Sequence, residues 1–237
     1  MAIRKDGKDT RNKLLMAASE AFAEKGYRNT TVAEICRRAG SNVAAVNYHF
    51  GGKDALYVSV WRNAFEEALR VYPPDGGLPP GAAPEEHLRA LIYSHLHRIM
   101  DDGRLGYAGQ ILLQEMSDPT EVIRQVRRDV IRPLRERTRQ IITELLGPKA
   151  DDRQIELCAM SIVHQCLAIG FRKRRLTTHI ARNRPTSELI DGLVEHITRF
   201  SLAGIRAVGE NIEACQHAVH TRSDSGPVLR DGCRDGL

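Results

Sequence analysis

The chain has 237 residues, 42% of them apolar and 27% charged, which suits a soluble globular protein of one or two domains with ample length for a core. Its five cysteines (Cys36, Cys158, Cys166, Cys215, Cys233) are odd in number and lack CxxC or metal-ligand spacing, which argues against a disulfide scaffold and for free thiols in a reducing cytoplasm. The formal net charge is +5, and residues 1–55 hold 10 Lys/Arg against 6 Asp/Glu while residues 56–237 hold 25 against 24, so a basic N-terminal module points to a polyanionic partner.

The opening MAIRKDGKDTRNK has no apolar run, so it is not read as a secretory signal, and no segment approaches about 18 uninterrupted apolar residues, so no membrane partner is expected. Nearly everything downstream reads as helix, because apolar residues recur at three and four spacing without sustained alternation. A first helix over about Thr10–Lys25 turns Leu14, Leu15, Ala18, Ala21 and Phe22 inward, and Gly26 supplies its stop. A second, about Val32–Ala39, starts at Thr31 with Glu34 as a capping box. Gly40 breaks it, Asn42 caps a short third helix to about His49, and Gly51-Gly52 separates that from a fourth over about Lys53–Val71. The stretch Pro73 to Gly81 is a linker. A fifth helix follows Pro84 to about Asp101, a turn at Gly103 and Gly106 precedes another over about Tyr107–Met116, and a long Arg-rich helix from Pro119 to Leu146 should kink or split at Pro133. Two long helices close the pattern, about Asp152–Phe171 and Thr186–Val208, joined by the basic run Arg172 to Arg175 and a loop to Pro185; the rest is expected to fray.

The stretch AGSNVAAVNYHFGGKD, Ala39 to Asp54, carries the function. Helix, tight glycine turn and short second helix is the form of a helix-turn-helix, whose second helix enters the DNA major groove while the first crosses the backbone. Small side chains allow close approach: Val43, Ala44 and Ala45 can touch thymine methyls, Asn47 can pair with adenine, and Asn42 can reach a phosphate or a base. Tyr48 and His49 offer donors to phosphate oxygens, and Lys53 opens the fourth helix where its charge and the helix dipole act together. Val46 and Phe50 should face the core beside Ile35 and Leu56. A plain helical hairpin would leave this small polar surface without a partner. Since the third helix has no Arg or Lys, Arg4, Lys5, Lys8 and Arg11 are read as a mobile arm to phosphate or minor groove, against the alternative of an ordinary solvated terminus.

The segment NTTVAEICRRAGSNVAAVNYHFGGKDALY resembles the DNA-binding segment of the TetR/AcrR family of bacterial transcriptional repressors. Thr31, Ala39-Gly40, Tyr48-His49-Phe50, Lys53 and Leu56 carry the resemblance over about residues 10–60. Family members commonly have Lys-Gly-Thr where this chain has Val43, Ala44 and Ala45, so the base contacts do not transfer there. More narrowly, that segment and EHITRFSLAGIRA, Glu195 to Ala207, look like the branch of the cefoperazone and chloramphenicol sensitivity regulator. The resemblance implies an all-α homodimer in which a three-helix N-terminal domain (1–55) binds a palindromic operator in double-stranded DNA. A C-terminal helical domain (56–208) then binds a small-molecule effector and dimerises through its last two long helices, leaving 209–237 as a flexible tail.

The apolar patterns support a dimer independently. The last helix has more apolar positions than one stripe needs, and Ile155, Ile162, Cys166, Leu189, Leu193, Ile197, Phe200 and Gly204 are taken as interface in a four-helix bundle; the alternative is a helix central to one chain. Polar or adaptable side chains on apolar helices, Tyr93, His97, Met100, Tyr107, Gln114 and His164, are pocket candidates, each also explicable as an ordinary core or surface group. Arg124, Arg127, Arg128, Arg132 and Arg135 read as a solvated face paired with Glu121, Asp129 and Glu136. No P-loop, dinucleotide fingerprint, HExxH or GxSxG occurs, so neither catalysis nor a cofactor or metal is expected. The rival to a ligand-released repressor is a helix-turn-helix regulator or architectural protein without a small-molecule effector.

Overall fold

A computed structural model of the chain describes residues 3–101, 103–172 and 186–223, with side-chain environments from 7 to 214 within that set. The described residues form helices and turns, with no strand among them. Helix α1 (Ile3–Asn29) begins well before Thr10, and the non-helical backbone at Gly26 (φ 74°, ψ 176°) interrupts it where a stop was expected, before a last short helical stretch to Asn29. The basic segment expected as a mobile arm therefore forms the first turns of α1. Helix α2 (Val32–Ala39) is capped by Thr31, whose side chain accepts from the Glu34 N–H at 3.2 Å. The reciprocal half of the expected capping box is diverted, because the Glu34 carboxylate accepts from Lys25 (2.6 Å) and Arg38 (2.7 Å). Gly40 ends α2 in the left-handed region (φ 60°, ψ 40°), where a side chain would be strained. Helices α3 (Val43–Phe50) and α4 (Lys53–Val71) follow.

Beyond the linker come α5 (Pro84–Met100), a 3-10 turn, α6 (Tyr107–Ser117) and a short α7 (Arg124–Val126). A π turn over Arg127–Ile131 joins α7 to α8 (Arg132–Leu146). The Arg132 N–H bonds back to the Arg127 carbonyl five residues earlier. Pro133 has no N–H and its ring crowds the carbonyl four residues before it, and the expected long helix is split there by the π turn. Helices α9 (Asp152–Phe171) and α10 (Thr186–Ser223) complete the fold. The expected end near Val208 is corrected: the helix continues through the first part of the segment read as a tail. The basic run Lys173–Arg175, the loop to Pro185 and residues 224–237 lie outside the described residues.

Two cores result. The first gathers α1 to α4 around Leu14, Phe22, Ile35, Val46, Leu56 and Trp61, and extends to Ala108 and Ile111 of α6. The second joins α5, α8, α9 and α10 around Leu88, Leu91, Ile142, Ile162 and Val194. Burial of each such aliphatic or aromatic side chain is worth about 1.5–3 kcal/mol. Helix α6 belongs to both layers, so it connects them.

By length and apolarity alone α9 is long enough to cross a membrane, the one such helix among the described residues. Its Ile155, Ala159, Ile162, Cys166 and Leu167 are instead packed inside the chain.

Candidate nucleic-acid interface and effector cavity

Helix α3 has two distinct faces. Val46 is fully buried and Phe50 packs on the same core, as their spacing requires. Val43, Ala44, Asn47 and Tyr48 form the opposite face and are exposed, Val43 at 50% and Tyr48 at 85% of full accessibility. Ala45 and His49 are half-buried on the flanks, with the His49 ring 4.9 Å from Tyr48 and 6.4 Å from Phe50. The Asn42 side-chain oxygen caps α3 by accepting from the Ala45 N–H at 2.9 Å, which leaves its amide NH2 to donate outward. Thr31 is likewise occupied as a cap on α2.

Cations surround this face rather than lie on it. Arg11 places its guanidinium 5.0 Å from the centre of the Phe50 ring, and Gly7 passes 3.9 Å from the His49 ring at its virtual Cβ, so the start of α1 runs beside α3. Lys8 and Arg11 are exposed there, while the side chains of Arg4 and Lys5 fall outside the described set. Lys53 lies 4.2 Å from the centre of the Tyr27 ring, and partial burial lowers its ammonium pKa. Tyr27 in turn donates to Asp54 at 2.5 Å, and burial followed by that bond pushes its phenol up to about 12. On α2, Arg38 is tied to Glu24 and Glu34. Arg37 is exposed and has no ion pair among the described residues; its place opposite Ile35 and Cys36 on the helical wheel could have identified it.

A cavity of about 380 Å³ lies between α4, α5, α6, α8 and α9. Phe65, Leu112, Leu134, Ala159, Val163 and Leu167 supply much of its apolar wall. Its polar groups are His95, Arg98, Thr138 and His164, with Arg135 and Glu156 also at the wall. Gly109 lets α6 close on α5, since a Cβ there would fall 2.6 Å from the Arg98 carbonyl oxygen.

Of the six pocket candidates read from sequence, only His164 lines this cavity. Tyr93 and His97 lie elsewhere, in a tilted pair 4.1 Å between ring centres with His97 stacked on Tyr72, Met100 is fully buried in the core, and Gln114 packs at the α1 kink. Tyr107 lines a separate crevice between α1 and α4. The long-helix candidates divide similarly. Ile155, Ile162, Cys166 and Ile197 are buried within their own chain, and Leu189 and Leu193 pack partly on that core. Phe200, at 63% exposure, and Gly204 face solvent, as does Leu157, which the sequence reading missed.

The family model described as "Bacterial regulatory proteins, tetR family" matches residues 14–60, and that described as "HTH-type transcriptional dual regulator CecR, C-terminal domain" matches residues 84–205. The chain belongs to the TetR family of bacterial regulators, in its CecR branch. It is 27% identical over 202 residues to the HTH-type transcriptional dual regulator CecR of Shigella flexneri, covering 79% of this chain and 89% of that protein. A BetI regulator of Brucella suis is 32% identical over 82 residues, 35% of this chain and 40% of the relative. Among solved structures, a TetR-like regulator from Rhodococcus sp. RHA1 (TM-score 0.62, 19% identity, 83% of this chain and 96% of that one) shares the fold. So does the fatty acid degradation regulator FadR from Bacillus halodurans (TM-score 0.60, 17% identity, the same coverage of each chain).

In this TetR-family regulator the helix-turn-helix unit is pinned to the cavity wall. The Tyr57 hydroxyl on α4 donates to Glu115 on α6 at 2.7 Å, and both residues are buried. Glu115 also accepts from the Thr120 N–H (2.9 Å) and hydroxyl (2.8 Å). Arg28 to Asp118 (2.9 Å) and Arg62 to Asp129 (2.7 Å) add exposed ion pairs across the same seam. The expected pairing within the Arg-rich stretch is partly seen: Arg124 meets Glu121 and Arg132 meets Glu136 at 3.9 Å, whereas Arg135 leaves the stretch for Glu156.

Proposed function

We propose that this DNA-binding transcriptional regulator works as a homodimeric repressor on a palindromic operator and is released by a small molecule bound between α4, α5, α6, α8 and α9. The single observation carrying the DNA reading is the division of α3. Its uncharged face of Val43, Ala44, Asn47 and Tyr48 stands free while Val46 anchors the helix. Apolar and amide contacts to base edges would come from that face. Lys8, Arg11 and Arg37 around it would supply the phosphate contacts that set affinity.

Dimerisation is supported by exposed apolar side chains on the last two helices, Leu157, Phe171 and Phe200. Two α3 helices must then sit about 34 Å apart to enter successive major grooves. A ligand that favours a different spacing lowers DNA affinity only to the extent of its preference between the two states. The cavity volume, within the range of about 300–1,000 Å³ usual for ligand sites, favours an effector over an effector-free regulator.

Selection of bound fragments from genomic DNA, followed by salt titration, tests the reading. An inverted repeat with half-sites one turn or an integral number of turns apart is expected. Tyr48→Ala should weaken binding with unchanged thermal stability. Lys8→Ala, Arg11→Ala and Arg37→Ala should each reduce the salt slope by about 1. Slopes unchanged in all three would refute the phosphate assignment, and absence of any selected duplex would refute the operator reading.

A further inference from the structure

One group in the cavity is not explained by packing. Arg98 on α5 is 5% exposed and lines the cavity, yet its Nη1 has no hydrogen-bond partner and no carboxylate pairs with it among the described residues. Its Nη2 lies 3.4 Å from His95 Nδ1, but that nitrogen is also 2.9 Å from the Leu91 carbonyl oxygen. A ring that donates its Nδ1 proton to the carbonyl has no lone pair there for the guanidinium. Burial, reinforced by Arg98, holds His95 neutral by pushing its pKa down to about 3. Glu156, the carboxylate on the cavity wall, is already engaged by Arg135 (2.5 Å) and Arg139 (2.9 Å). Burial lowers the Arg98 pKa to about 10, so it remains a cation at neutral pH.

A buried, uncompensated charge in an apolar chamber is costly unless something completes it. Resting on the effector reading above, we infer that the cavity takes a small amphipathic monoanion, an apolar body bearing one carboxylate, whose head group is bound by Arg98. The planar guanidinium offers paired N–H donors matched to a carboxylate. Phe65, Leu112, Ala159 and Leu167 give the rest of the molecule an apolar wall. A single unpaired cation fits a monoanion better than a dianion. Approach is favoured by an adjoining groove of about 750 Å³ that shares Leu112, Met116, Ile131 and Arg135 with the cavity and adds Arg127 and Arg128, neither ion-paired among the described residues.

The test uses the full chain and two matched probe series, straight-chain alkanoates and alcohols of six to twelve carbons, titrated by calorimetry. N-phenyl-1-naphthylamine serves as an uncharged fluorescent reporter of the cavity. At least one alkanoate should bind roughly 30-fold or more tightly than the alcohol of equal length. Arg98→Met should abolish that preference, and Ala159→Trp should exclude every probe. Without ligand, Arg98→Met should melt no lower than the parent, because it removes a buried charge and not a satisfied one. A melting point lowered by several degrees would reveal a structural partner for Arg98 and overturn the inference. So would equal binding of alkanoate and alcohol by the parent while naphthylamine still binds, an outcome that leaves the effector cavity standing. If no probe, naphthylamine included, enters the parent protein, the effector reading falls together with the anion.

Discussion

Replacing Tyr57 by Phe isolates the bond between the helix-turn-helix unit and the cavity wall. The ring keeps its contacts with Phe22 (4.7 Å between centres) and Tyr27 (4.9 Å), so packing hardly changes. What is lost is a donor to Glu115 at 2.7 Å, with Tyr57 1% and Glu115 3% exposed. A hydrogen bond to a charged group contributes about 1.5–3 kcal/mol. In a chain of this size that corresponds to a fall in melting temperature of roughly 3–12 °C. Burial, then the bond to Glu115, raises the Tyr57 pKa, so the hydroxyl is a donor throughout the neutral range. The partner substitution Glu115→Leu removes the acceptor and leaves the Tyr57 hydroxyl and the two Thr120 donors unsatisfied. In that background Tyr57→Phe discards a stranded polar group, so its effect should shrink to about zero or become favourable. Urea unfolding of the parent, both single variants and the double variant measures the difference. Equal cost of Tyr57→Phe in both backgrounds, within about 0.5 kcal/mol, would refute the reasoning.

Three further outcomes are expected. Gly109→Ala should cost about 1–3 kcal/mol in urea unfolding, because its Cβ would lie 2.6 Å from the Arg98 carbonyl oxygen and 2.8 Å from Ile99 Cα; Gly192→Ala, facing open space, should gain up to about 1 kcal/mol. Phe200→Asp should shift the oligomer toward monomer in light scattering and weaken operator binding, since it places a charge on a 63% exposed apolar side chain of α10. Arg38 holds the Glu24 carboxyl below the usual carboxylate range, while Lys25 and then Arg38 do the same for Glu34. Their stabilisation is therefore complete above about pH 4.5 and lost as pH falls through the depressed values. Arg38→Gln should lower stability at neutral pH and flatten the acid limb of a melting-temperature profile.

The sequence by itself determined the helical architecture, the helix-turn-helix and the division of α3. Those features depend on residues close together in the chain: Thr31 and Asn42 as caps, Gly40 in the left-handed region, and Val46 and Phe50 spaced to face inward. It also placed the break near Pro133, because a missing N–H is a property of one residue. Tertiary structure alone decided which side of α9 and α10 serves the chain's own core. Helices with apolar residues on more than one face carry no local mark separating Ile162 or Ile197 inside from Leu157 or Phe200 outside. The cavity was hidden for the same reason, since its wall comes from five helices and its membership depends on how they cross. Arg98 lies seven residues after Leu91, on the stripe that also carries His95 and Ile99. That register would have marked it as inward-facing, a signal the sequence reading missed, and only the packed structure shows that no carboxylate among the described residues comes to meet it.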